Sequence, residues 1–69
     1  MMNFFACPIV VPFEFNGRRF EVSVIRDRGM WEVIVFVANS NKSVFEDRFF
    51  GDPDRRIREI IDSAADFIR

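Results

Sequence analysis

No histidine and no tyrosine occur in this chain, and its only thiol belongs to Cys7. Without histidine the usual general base is missing, so Ser23, Ser40, Ser43 and Ser63 cannot be built into an ordinary nucleophile–base pair. A single cysteine excludes an internal disulfide and a thiolate metal site. A free Cys7 could at most join two chains on oxidation. Glycine is scarce as well, and the three, at positions 17, 29 and 51, form no phosphate-cradling loop. Asp52, Asp54 and Glu59 are the nearest approach to a hard-cation set, and their spacing matches no calcium loop. The expectation is a non-catalytic protein with no metal and no cofactor.

An excess of positive charge is also lacking. The formal net charge is −1 and the pI is near 5.3, so nothing draws the whole chain toward nucleic acid or anionic lipid. Long hydrophobic runs are missing too. The longest beyond the N-terminus, from Val33 to Ala38, is far below the roughly 18 residues of a membrane helix. The opening Met1-Met2-Asn3-Phe4-Phe5-Ala6-Cys7 has no basic lead, and Pro8 and Pro12 interrupt any helical core, so a secretory signal is not expected. With one cysteine, a reducing cytoplasmic setting is the natural reading.

What the chain does contain is core-forming material. It is 49% hydrophobic over 69 residues, and ten of its eleven aromatic residues are Phe. Phe supplies large buried area without a polar handle and suits an interior. A chain of this length makes one domain. Residues 9–69 are read as that domain, and residues 1–8 as an apolar lead segment, loose or folded back on the rest.

Period-two alternation runs from Ile9 to Phe50, and helical spacing follows Pro53. Asn16-Gly17 is a two-residue hairpin signal because both residues tolerate the positive φ that a type I′ turn demands. Centring a hairpin there pairs Phe15 with Arg18, Glu14 with Arg19, Phe13 with Phe20, Val11 with Val22 and Ile9 with Val24. Apolar residues then meet on one face and opposite charges on the other. Taking Arg26-Asp27-Arg28-Gly29 as the next turn pairs Ile25 with Met30, Val24 with Trp31, Val22 with Val33 and Phe20 with Val35. After the polar connection Asn39–Lys42 comes a fourth strand, Ser43 to Phe50. Either Phe45 and Phe49 or Val44 and Phe50 face inward on it, with a bulge deciding. The acids Glu46-Asp47 read as charge blunting a sheet edge.

Asp52-Pro53 announces a helix, with Asp52 as N-cap and Pro53 in the first helical position. Ile57, Ile60, Ile61, Ala64 and Ile68 form one apolar stripe, and Arg55, Glu59, Asp62, Asp66 and Arg69 the opposite face. The expected fold class is α+β: a three- to four-stranded antiparallel β-meander packed on one face by a single C-terminal helix.

The stretch Asn16-Gly17-Arg18-Arg19-Phe20-Glu21-Val22-Ser23-Val24, followed by Gly29-Met30-Trp31-Glu32-Val33-Ile34-Val35, resembles small uncharacterised bacterial proteins. Those proteins share a meander of this pattern and a closing aromatic-Ile pair like Phe67-Ile68. The resemblance spans residues 13–69. It rests on core positions and turns, so it implies a fold and no activity. The chain is also similar to the β-β-β-α antitoxin partners of small RNA-cleaving toxins, without the glycine-rich, acidic third strand those carry.

One helix covers one face of a sheet. On the other face Ile25, Met30, Ile34 and Phe36 make an apolar strip, read as ordinary scattered surface apolars, as a surface for a second copy or another protein partner, or as a place where the N-terminal segment folds back. The competing reading is a nucleic-acid contact through Arg26, Arg28, Arg48, Arg55, Arg56 and Arg58, which the topology brings toward one end. Asp27, Asp47, Asp52, Asp54 and Glu59 share that end, and Glu14, Glu21 and Glu32 on the open face would repel phosphates, so nucleic acid is disfavoured.

Overall fold

Four strands follow one another without interruption in the computed structural model, which describes residues 8–68. They are β1 (Ile9–Phe15), β2 (Arg18–Asp27), β3 (Met30–Val37) and β4 (Ser43–Phe49); helix α1 (Pro53–Asp62) and a 3-10 turn (Ala64–Asp66) complete the chain. The sheet order is β1-β2-β3-β4 with every pair antiparallel, so the fold is the α+β meander that the pattern leads one to expect. Residues 1–7 of the lead segment, Cys7 among them, and Arg69 lie outside the described residues.

The first hairpin keeps the register read from Asn16-Gly17. Phe13 pairs with Phe20, Val11 with Val22 and Ile9 with Val24. Asn16 and Gly17 take φ of 53° and 77°, both positive as a type I′ turn requires. On the inner face the Phe13 and Phe20 rings stack with centroids 5.5 Å apart.

The second hairpin departs from expectation by two residues. Its loop is Arg28-Gly29 alone, at φ of 54° and 80°, and β2 runs on through Asp27. Trp31 therefore faces Arg26, Val33 faces Val24, Val35 faces Val22 and Val37 faces Phe20. The two-residue loop wins because its twist matches that of the strands, whereas a four-residue turn would give up two ladder pairs. A slip of two preserves which face each side chain occupies. The inner face thus keeps its members while their partners change.

On β4 the bulge settles the alternatives. Val35 pairs with Phe45 but Phe36 with Ser43, so the extra residue lies beside Val44. Phe45 and Phe49 turn inward and Phe50 is left 73% exposed. Asp47 also turns inward, toward the helix, rather than blunting the edge.

Asp52 caps α1: its Oδ1 accepts from the Asp54 backbone N–H at 3.0 Å, and Pro53 takes the first helical position. The α-helix stops at Asp62, short of the stripe's end. The Ser63 N–H is shared among the carbonyls of Glu59, Ile60 and Ile61, and the chain tightens into the 3-10 turn. The Ile68 N–H still reaches the Ala64 carbonyl at 2.8 Å, so Ile68 remains in the core. After the turn Phe67 lies on Phe45, ring centroids 4.8 Å apart.

Phe20, Val22, Val24, Val33 and Val35 are fully buried beneath Ile57, Ile60, Ala64 and Ile68. Trp31, on the same face of β3 as Val33 and Val35, and Ile61 of the helical stripe are half-buried at its margin. A ten-residue helix is about 15 Å long, while the ten residues of β2 extend for about 33 Å. Helix α1 therefore leaves the ends of the inner face and the β1 margin (Ile9, Val11, Phe13, Phe15) half-covered.

Candidate functional site

Among the described residues no helix lies on the outer face of the sheet, and the chemistry of that face follows from the observed register. In one row across the strands lie Val10, Ser23, Ile34 and Glu46; in the next, Pro12, Glu21, Phe36 and Ser43. Toward the second hairpin Ile25 faces Glu32, which faces Arg48, and Asp27 faces Met30. Ile25 and Met30 are thus not paired with each other.

Each of the four strip residues has a carboxylate directly across the ladder: Glu32 beside Ile25, Asp27 beside Met30, Glu46 beside Ile34 and Glu21 beside Phe36. The strip is a checkerboard of apolar and acidic side chains. Val10 is 49% exposed and Ile25 36%, while Met30, Ile34 and Phe36 are half-buried among their neighbours. Val10 stands on this face beside the strip, opposite Ser23. Its exposure follows from sitting on an edge strand.

The charge on this face is lopsided. Glu14, Glu21, Asp27, Glu32 and Glu46 stand against Arg19 and Arg48. Arg48 is already engaged, its Nη2 lying 3.4 Å from Glu32 Oε2. Among the described residues Glu14, Glu21, Asp27 and Glu46 form no ion pair. Near the first hairpin lies an open hollow of about 480 Å³, lined by Pro12, Phe13, Glu14, Arg19, Phe20, Glu21, Ala38 and Asn39.

The six arginines considered for nucleic acid are dispersed. Arg26 is on the inner face, its guanidinium 5.2 Å from the centroid of the Trp31 ring. Arg28 is exposed in the hairpin turn and Arg48 is on the outer face. Arg55 lies 3.7 Å from Glu59, and Arg56 reaches Asp47 at 2.7 Å and Glu59 at 3.3 Å. Among the described residues Arg58 has no carboxylate partner. Asp52 and Glu59 line the same hollow as Arg55 and Arg56, so acids stand beside the cations there.

The titration of Asp47 is displaced. The hydrogen bond from Arg56 holds its carboxyl below the ordinary aspartate value, helped by the backbone N–H of Arg48 and opposed by partial burial. The same hydrogen bond raises Arg56. Both groups hold the helix to β4 and are occupied with each other.

Among the described residues no three His, Cys, Asp or Glu side chains converge on a point where a metal ion would sit. No described helix is long and apolar enough to cross a membrane. Neither a protein-family model, nor a curated protein, nor a solved structure matches this chain.

Proposed function

We propose that this chain is a small non-catalytic interaction module that docks a protein partner on the helix-free face of its sheet. The observation that carries the reading is the placement of Ile34 and Phe36 on the central strand β3, on the side opposite the core, with Val10 and Ile25 exposed around them. A face made only to meet water has no need of large apolar side chains at its centre. The lack of histidine and tyrosine supports a non-catalytic role. A single cysteine suits a reducing cytoplasm.

Nucleic acid on the arginine-bearing end is the competing reading: among the described residues Arg26, Arg28 and Arg58 have no carboxylate partner, Arg26 lying over the Trp31 ring instead. It is the weaker one because Arg48, Arg55 and Arg56 are paired with carboxylates. The two readings separate in one experiment. A protein captured from the source cells, identified and purified, should be retained by wild type and by Arg58→Ala, and lost with Ile34→Glu. Equal retention by all three would overturn the docking reading. A salt-sensitive oligonucleotide shift that disappears with Arg28→Ala and Arg58→Ala would replace it with the nucleic-acid one.

A further inference from the structure

Resting on that docking reading, we infer that the partner of the open face is a cationic amphipathic protein segment, in which apolar side chains alternate with lysine or arginine. The checkerboard is the reason. Every apolar residue of the strip has a carboxylate as its cross-strand neighbour, so any partner that covers Ile34 and Phe36 also covers Glu46 and Glu21. Covering an unpaired carboxylate with apolar surface is costly unless a cation meets it. The protein's own cations do not do so, since Glu14, Glu21 and Glu46 form no ion pair among the described residues and Arg48 is held by Glu32.

A second copy fits this face poorly. Two open faces brought together would set five carboxylates and two guanidinium groups against the same set. The phosphates of a nucleic acid meet the same repulsion. A segment with alternating lysine and leucine satisfies both halves of the pattern. Its apolar side chains rest on Ile34 and Phe36, and its cations meet Glu21 and Glu46. The hollow near the first hairpin borders this surface, with Glu14 and Glu21 in its lining beside Arg19.

The test uses the full chain and three short synthetic peptides, one alternating lysine with leucine, one serine with leucine and one glutamate with leucine. Backbone amide spectra locate binding, and sedimentation counts chains. The lysine peptide is expected to shift Val10, Glu21, Ile34, Phe36 and Glu46 and to weaken with added salt. Combining Glu14→Gln, Glu21→Gln and Glu46→Gln should reduce its affinity about tenfold, as removing complementary interface charge does. Asp62→Asn with Asp66→Asn, on the far side of the helix, should leave it unchanged. Ile25→Ser, at an exposed position, and Ile34→Ser should each weaken it while amide spectra show the wild-type fold retained.

Failure takes distinguishable forms. If the serine or glutamate peptide binds this face as tightly as the lysine peptide, the face docks proteins and the cationic assignment is wrong. If no peptide binds, or the isoleucine and glutamine variants bind like wild type, the docking reading itself falls. Equal loss from the Asp62 and Asp66 changes would show diffuse attraction to an acidic protein and overturn the inference. So would a wild-type dimer that Ile34→Ser dissociates, or an oligonucleotide that shifts the same residues.

Discussion

Arg56 and Asp47 meet where the helix lies over the last strand, Nη2 donating to Oδ2 at 2.7 Å. Asp47 reaches that position because the bulge at Val44 turns it to the inner face, between Phe45 and Phe49. Arg56 also donates to Glu59 at 3.3 Å, so its guanidinium ties the first turns of α1 both to β4 and to its own helix. The pair is partly open to water, with the side chains 32% and 41% exposed, so it acts as a latch at the margin of the core.

That latch gives stability a pH dependence of known sign. Asp47 holds a pKa below its ordinary 3.8 in the folded chain, so its contribution is complete above that value. It is lost as pH falls through the lower folded value. Melting temperature should therefore fall more steeply for wild type than for Asp47→Asn in acid below 3.8, the two curves converging at the lowest pH. At neutral pH Asp47→Asn should cost no more than about 1 kcal/mol, given the exposure of the pair. Parallel curves would show that the pair does not stabilise the fold.

Removing the helix cap isolates a local contribution. Asp52→Ala frees the Asp54 amide and should cost about 1 kcal/mol in chemical denaturation. Asp66→Ala, exposed in the 3-10 turn, should change almost nothing. Equal effects at both sites would mean that the hydrogen bond to Asp54 adds no stability.

In the core, Ile60 is 2% exposed, and Ile60→Ala should cost about 2–5 kcal/mol by leaving a cavity over the central valines. A domain this small has little more than that to lose. Ile61→Ala should cost less, because Ile61 is only half-buried beside the same cluster. Denaturant midpoints for the two variants rank them, and a larger loss at Ile61 would contradict the placement of the helix.

Adjacent residues of β3 should respond oppositely to the same substitution. Val35 is fully buried, so Val35→Glu places an unpaired charge in the core and should abolish the cooperative melt. Ile34→Glu adds a carboxylate to the outer face beside Glu46, and the fold should survive. Circular dichroism and amide spectra of both variants check this. Loss of the fold in both would mean that the outer face is buried in the working protein.

Much of the fold is legible in short stretches of sequence because the forces that write it there are local. The Asn16-Gly17 pair can hold two positive φ angles in succession, which sets the first hairpin to the residue. The period of two assigns each side chain of β2 and β3 to a face, and Asp52-Pro53 starts the helix by capping chemistry that involves only its neighbours.

The open face is legible as a face but not as a surface with a defined chemistry. Arg26-Asp27-Arg28-Gly29 is compatible with a four-residue or a two-residue loop, and both keep every side chain on its side. Only strand pairing in three dimensions, where two further ladder pairs and a matched twist favour the shorter loop, moves Ile25 from Met30 to Glu32 and makes an apolar strip a checkerboard. The bulge beside Val44 and the inward turn of Asp47 share that origin. Each depends on a contact between β4 and the C-terminal segment, Asp47 with Arg56 or Phe45 with Phe67. Residues 9 and 22 apart in sequence meet there. Composition, capping and alternation determined the fold by themselves, because those preferences act over a few residues. Pairing partners and the resulting pattern of charge were decided by the tertiary structure, because register is set by the fit of whole strands.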